Sequence, residues 1–401
     1  LNRLVIDQTP PVVVNSHYDS NYSDSTLATI GHIITVTFET DEVIAAPSIS
    51  IAGGTGDITG IGDFNWSGTY TMQESDEEGV IPFSVDSLLD ARGNPEDGFD
   101  TPTDESEVVF DKTQPTLNPV TVISNNPDPE WAKVGDTITV SFTGEEELMT
   151  AAGTIVTQIA AVIDLGGENY TAKYEMTETD PEGEIAFEII VTDLVGLNSD
   201  PVSETTDESS VIFDRTLPQL DYVHIESSNS NNTSIGISGD DVYLTFTPNE
   251  PLILDSMVVT ISETPATVAE SEGSYTSKIT LTGAEADGIL SYTIDFKDRA
   301  GNPGNQVTST TDDSYVNHDI LPPELLSASI ASNNPDTSWA KVGDSIFVTF
   351  TATEVLDNIT VNITGVSTGY DNPSTAKYRG LYVMNEDDDE DTIKYFEHLA
   401  R

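Results

Sequence analysis

Gly135-Asp-Thr-Ile-Thr-Val-Ser-Phe142 places apolar side chains at every second position, Ile138, Val140 and Phe142, which is the period of a strand with one buried face. The same pattern stands at Gly31-His-Ile-Ile-Thr-Val-Thr-Phe38, Gly239-Asp-Asp-Val-Tyr-Leu-Thr-Phe246 and Gly343-Asp-Ser-Ile-Phe-Val-Thr-Phe350, so four copies begin at 31, 135, 239 and 343, a constant step of 104 residues. A fixed period of this length means that one module is repeated, and the module is the unit to be read. Other landmarks keep the register: Asp7, Asp111, Asp214 and Asp319 each stand shortly before a proline, and Tyr70/Met72, Tyr174/Met176 and Tyr382/Met384 share one position. Alternate copies are closer kin, since SNNPDPEWAKVGD (124–136) returns as SNNPDTSWAKVGD (332–344).

Ile185, Phe187 and Ile189 repeat the alternation further on, and no segment has a convincing helical period. About seven short strands per copy, separated by Gly, Asn, Asp and Pro clusters, describe an immunoglobulin-like β-sandwich. The expected fold is therefore all-β: a tandem array of four such domains, the last lacking its final strand. The boundaries are 1–8 (a closing strand that belongs to a preceding or neighbouring domain), 9–112, 113–215, 216–320 and 321–401. In the second copy strand A is expected at about 117–124, B at 136–143, E at 169–177, F at 184–192 and G at 209–213. The linkers read IDQTPP, FDKTQP, FDRTLP and HDILPP, whose prolines hold the connections short and extended.

The chain has 401 residues, with 14 Lys and Arg against 70 Asp and Glu, and a formal charge of −56. That excess excludes nucleic acid and anionic lipid as partners, and it repels itself unless high salt or bound divalent cations screen it. No apolar run approaches the length of a membrane span, and no basic-then-apolar leader opens the sequence. With no cysteine, disulfides, thiol catalysis and thiolate metal sites are excluded.

VGDTITVSFT (134–143), YTAKYEMTETDPEG (170–183), DLVGLN (193–198) with DRAGNPG (298–304), and FDKTQPTL (110–117) resemble the Ig-like repeats of giant calcium-binding surface proteins of bacteria and archaea: adhesins, gliding-motility adhesins and S-layer-type proteins. The resemblance covers essentially the whole chain. It implies an extracellular, cell-surface setting and a structural role in a fibre, a surface layer or an adhesin stalk. The fourth copy departs most, having no D-x-x-G-N segment and no closing strand.

In such a sandwich the B–C and F–G loops lie beside the linker through which the chain enters the domain. The B–C loop supplies Glu42, Glu146, Glu250 and Glu354, each four residues after the phenylalanine of strand B. The F–G loop supplies Asp90 with Asn94, Asp193 with Asn198 and Asp298 with Asn302, followed by Asp104, Asp207 and Asp312 just before strand G. The linker adds Asp7, Asp111, Asp214 and Asp319. Hard oxygen ligands in this number match the six to eight oxygens that Ca2+ takes, and without a cation their mutual repulsion is costly. The alternative reading has the linker Asp capping a turn and the loop acids solvated. The Asn125-Asn126-Pro127-Asp128 loop lies at the opposite end of its domain and could reach the following junction. Trp131 and Trp339 share a register and serve either as packing or as a ligand platform. The acidic run 387–391 lacks the glycine and terminal glutamate of an EF-hand loop and reads as a solvated turn.

Catalysis finds no support: His17, His32, His224, His318 and His398 do not recur at equivalent positions, and no nucleophile elbow, zinc-protease or phosphate-loop motif is present. An enzyme is not expected. Leu4-Val5-Ile6-Asp7 aligns with Val108-Val109-Phe110-Asp111, so Leu4, Val5 and Ile6 form a closing strand whose own domain is not in the chain. Two readings stay open. Either this strand completes the fourth domain of another copy, head to tail, with Val5 facing the core as Val109 and Ile212 are expected to, or further repeats of a longer chain supply the missing pieces. A glycan or other cell-surface ligand is a possible partner of the stalk reading.

Overall fold

The computed structural model describes residues 6–356, 358–388, 392, 393 and 395–400; Leu4 and Val5 lie outside the described residues. The chain is a run of Ig-like β-sandwiches, with a short 3-10 turn at Leu254–Ser256 as the one helical element among the described residues. Two compact units are formed. The first comprises residues 1–219 together with 250–256 and 296–305, and the second comprises 220–249, 257–295 and 306–401.

The second module shows how the sequence pattern becomes a sandwich. One sheet has the order Leu117–Ser124, Thr137–Gly144, Asn169–Glu175, Ala161–Gly166, all antiparallel neighbours. The facing sheet runs Gln158–Ile159, Leu148–Ile155, Phe187–Asp193. Along Thr137–Gly144 every second residue is buried, so Ile138, Val140 and Phe142 meet Ile189 and Val191 of the other sheet. Each such side chain contributes about 1.5–3 kcal/mol by leaving water. The first, third and fourth modules repeat the four-stranded sheet, on strands starting at Val13, Leu220 and Leu325.

The final strand corrects the sequence reading. Ile212–Phe213 pairs parallel with Trp131–Ala132 and antiparallel with Gly183–Glu184, and it does not run along Phe187–Asp193. The edge of that strand is met instead by an irregular return segment, through the bridges Thr192↔Asn198 and Ile189↔Val202; Val85↔Phe99 and Ile294↔Val307 repeat it. The facing is also the reverse of that expected: Val108 and Phe110, and Val211 and Phe213, are buried, whereas Val109 is half-buried and Ile212 is 37% exposed. Ile6, the described member of the segment Leu4-Val5-Ile6, is exposed in this structure.

Candidate metal centre

Each candidate centre starts from an Asp-x-x-Gly turn at the end of the strand that carries the buried Val or Ile. In the second module the strand ends at Asp193, whose Oδ1 accepts from Val195 N at 2.9 Å and Leu197 N at 2.8 Å. Gly196 closes the turn at φ 89°, a left-handed value that glycine adopts without steric cost. The chain therefore turns back at once, and the aspartate is fixed at the mouth of the sandwich. Asp90 and Asp298 are held the same way, accepting from Asn94 N and Asn302 N at 2.8 Å.

Against this turn lie the B–C loop glutamate and the linker aspartate. Three groups result among the described residues: Asp7, Glu42 and Asp90; Asp111, Glu146 and Asp193; Asp214, Glu250 and Asp298. Within each group one oxygen per carboxylate lies within 4.8 Å of the other two. The loop aspartate is buried in all three, and in the second group Asp193 Oδ2 is buried with no hydrogen-bond partner.

Electrostatics confirm the crowding. Burial, and then the charges of Asp111, Asp193 and Glu78, push the Glu146 carboxyl above its ordinary value. Burial also raises Asp111, with Asp193 and Glu78 adding to it against a backbone donor at Thr113. The third group behaves alike, with Glu250 and Asp214 raised by burial and by neighbours that include Glu182. In the first group Arg92 intervenes, its guanidinium 3.5 Å from Asp7 and 3.8 Å from Glu42.

Glu78 and Glu182 are thus fourth carboxylates that the sequence reading missed. Each comes from the preceding module, just before Gly79 and Gly183, and each also ties down the linker. Glu78 accepts from Lys112 N and Thr113 Oγ1 at 2.9 and 2.7 Å, and Glu182 from Arg215 N and Thr216 Oγ1 at 3.0 and 2.7 Å. The signal was available: both precede the glycine of their loop and stand 104 positions apart.

Other expected ligands lie elsewhere. Asp104 and Asp312 accept from His17 and His224 at 2.6 and 2.7 Å, and Asp207 caps Ser209 N at 3.1 Å. The return segment carries them away along the first strand, where Thr103 and Ser16, or Thr206 and Val120, exchange hydrogen bonds. His17 and His224 therefore do occupy equivalent places, opposite Thr37 and Thr245, hidden in the sequence by a one-residue shift. Asn94 and Asn302 donate to the Asp90 and Asp298 carboxylates at 2.8 and 2.9 Å and serve as positioning groups. The residue at that place in the second module is Leu197; Asn198 is exposed and accepts from Thr192 Oγ1. Asp319 accepts from Leu321 N at 3.2 Å, Glu354 is half-buried, and no group of three joins them among the described residues.

The donors present fit a hard divalent cation: three or four carboxylates, with no sulfur and no imidazole among them. No protein-family model and no curated protein sequence matches the chain. Among solved structures, a 1.5-MDa bacterial ice-binding adhesin concerned with host cell surface retention is similar over 79% of this chain and 100% of that one, at 16% identity and a TM-score of 0.47. A Ca2+-stabilized adhesin that helps an Antarctic bacterium reach out and bind ice is similar over 93% and 91%, at 17% identity and a TM-score of 0.38. An I-band fragment of titin is similar over 78% and 99%, at 9% identity and a TM-score of 0.33. The fold itself stands on the strand pairing and burial above. No helix among the described residues is long and apolar enough to cross a membrane.

Proposed function

We propose that the chain is a length of extracellular stalk, a spacer of Ig-like modules whose junctions are stiffened by Ca2+. The observation that carries this reading is the second group, where Asp193 Oδ2 is buried without a partner beside Asp111 and Glu146. A buried carboxylate oxygen with no donor is costly, and a cation shared by three carboxylates removes that cost. Asp111 belongs to the linker, Glu146 and Asp193 to loops of the module that follows, and Glu78 to the module before. An ion bound there holds both modules to their connection. Binding only the folded, joined arrangement, Ca2+ at a hundred times its Kd adds about 2.7 kcal/mol per site. The test is a melting curve and a solution scattering profile of the whole chain, in chelator and in millimolar Ca2+. Higher melting and a narrower spread of particle dimensions with Ca2+ support the reading, and identical curves defeat it.

A second reading is a fibre or surface-layer subunit joined head to tail, by donation of the strand Leu4-Val5-Ile6 to the fourth module of another copy. What favours it is a groove in that module bounded by Ile330, Trp339, Ile346, Met384 and Ile393. There the second module seats Ile212–Phe213 against Trp131–Ala132. Filaments of the purified chain that vanish when residues 1–7 are removed would favour it over the stalk.

A further inference from the structure

The loop 124–136 of the second module grips the turn 298–302. Asn126 Nδ2 donates to Ala300 O at 2.8 Å, Lys133 Nζ donates to Gly301 O at 3.0 Å, and the Arg299 guanidinium lies 5.8 Å from the centre of the Trp131 ring. Asn126 and Ala300 are buried by this contact. The grip is built in advance by the loop itself. Asp136 Oδ2 accepts from Asn126 Nδ2 at 2.7 Å and from the backbone Lys133 N at 2.8 Å, which orders the loop and orients the amide.

The fourth module carries the same loop at 332–344, with two of its thirteen residues changed, Thr337 and Ser338 for Pro129 and Glu130. Its inner scaffold is the same: Asp344 Oδ2 accepts from Asn334 Nδ2 and from Lys341 N, both at 2.9 Å, and Ser332 Oγ accepts from Asn334 N at 2.8 Å. Its outer face is bare. Trp339 is 72% exposed, Lys341 is exposed, and among the described residues Lys341 Nζ has no hydrogen-bond acceptor. The ammonium that meets a carbonyl in the second module meets none here, and the Asn334 amide, which has a second N–H to give, donates to Asp344.

We propose that the Asn334, Trp339 and Lys341 face is a docking site for the F–G turn of a further Ig-like module of the Asp-Arg-Ala-Gly-Asn type. The occupant is specified feature by feature by the gripped turn. It presents two adjacent free carbonyls for the amide and the ammonium, and a small residue before the glycine so that the loop can close over it. It also presents a cation after the aspartate to lie over the indole. This contact needs no metal, so it does not rest on the Ca2+ reading. The first and third modules lack the tryptophan and the lysine, having Tyr22, Leu27 and Thr29, and Asn229, Ile235 and Ile237, at the corresponding positions. The grip is thus a property of alternate modules.

The experiment uses the whole chain and the segment Phe296–Gly304 closed head to tail as a cyclic peptide, first shown by its nuclear Overhauser pattern to hold the glycine at 301 in the left-handed region. The chain has three tryptophans, so three indole N–H resonances are followed, that of Trp339 being assigned from Trp339→Phe. The result expected is a saturable shift of the Trp339 resonance at roughly millimolar peptide, since a contact joined in one chain needs no tighter binding to be populated. Trp66 and Trp131 stay in place. Lys341→Met is expected to weaken the binding at least several-fold, and a peptide with Ala300→Val is expected not to bind. A Trp339 resonance that does not move, or that moves equally in the Lys341→Met chain or with the Ala300→Val peptide, overturns the proposal.

Discussion

Asn302 donates its side-chain amide to the backbone carbonyl of Asp214 at 3.0 Å, so the F–G turn of the third module holds the linker directly, apart from any ion. Asn94 makes the same bond to Asp7 O at 3.3 Å, and both asparagines also hold the second oxygen of their turn aspartate. In the second module the place is taken by Leu197, which leaves Asp193 Oδ2 without a donor.

Leu197→Asn is therefore expected to supply both missing bonds and to stabilise the Ca2+-free chain by about 0.5–1.5 kcal/mol. The same substitution lowers the gain from Ca2+, because the amide already meets part of the demand of Asp193. Denaturant unfolding in chelator and in Ca2+ checks both signs, and an unchanged midpoint in chelator counts against the assignment.

Glu146→Gln is expected to change sign with Ca2+. Burial and like charge hold the Glu146 carboxyl above its ordinary value of 4.5. A carboxyl whose folded pKa is raised weakens the fold while ionised, and that strain is relieved as pH falls through the folded value toward the unfolded one. In chelator at neutral pH the glutamine variant melts higher than the parent, and acidification from pH 7 to about 5 raises the parent more than the variant. In millimolar Ca2+ the order reverses, since a ligand is gone, and acidification then lowers the parent as protons compete for the ligands. A variant that melts lower in both conditions would mean that Glu146 is a packing residue.

Arg92 competes with a cation for the first group, through its contacts with Asp7 and Glu42. Val195 and Ala300 stand at that place in the next two modules and carry no charge. The expected ranking of Ca2+ affinity therefore puts the first group below the other two, and Arg92→Gln raises the first without altering them. Calorimetric titration of parent and variant reads this directly. Parent and variant isotherms that superimpose would refute it.

His318 stands fully buried where the first two modules have Phe110 and Phe213. Its Nδ1 lies 3.2 Å from Ala286 O, while Nε2 is buried with no partner. His318→Phe removes the unsatisfied nitrogen and keeps a ring of similar shape, so the third module is expected to gain about 1 kcal/mol in denaturant unfolding. A loss would show that the Ala286 bond outweighs the orphaned nitrogen.

The sequence by itself determined the module and its strands, because the 104-residue step and the alternation at Ile138, Val140 and Phe142 are local patterns that survive without any knowledge of packing. It also determined that Glu146 and Asp193 lie on loops at the entry to a module, and that Asp111 lies on the linker between them. Tertiary structure decided which acids meet. Asp207 is fourteen residues from Asp193 along the chain, and the irregular segment between them follows the first strand, where main-chain groups need partners, so Asp207 ends beside Ser209. Glu78 reaches the Asp111 group from the preceding module, a proximity set by how the linker threads between two loops, which no local periodicity encodes. The facing of the closing strand was decided in the same way: two residues pairing parallel with Trp131–Ala132 are too few to display a period, and the core they meet selects Val211 and Phe213.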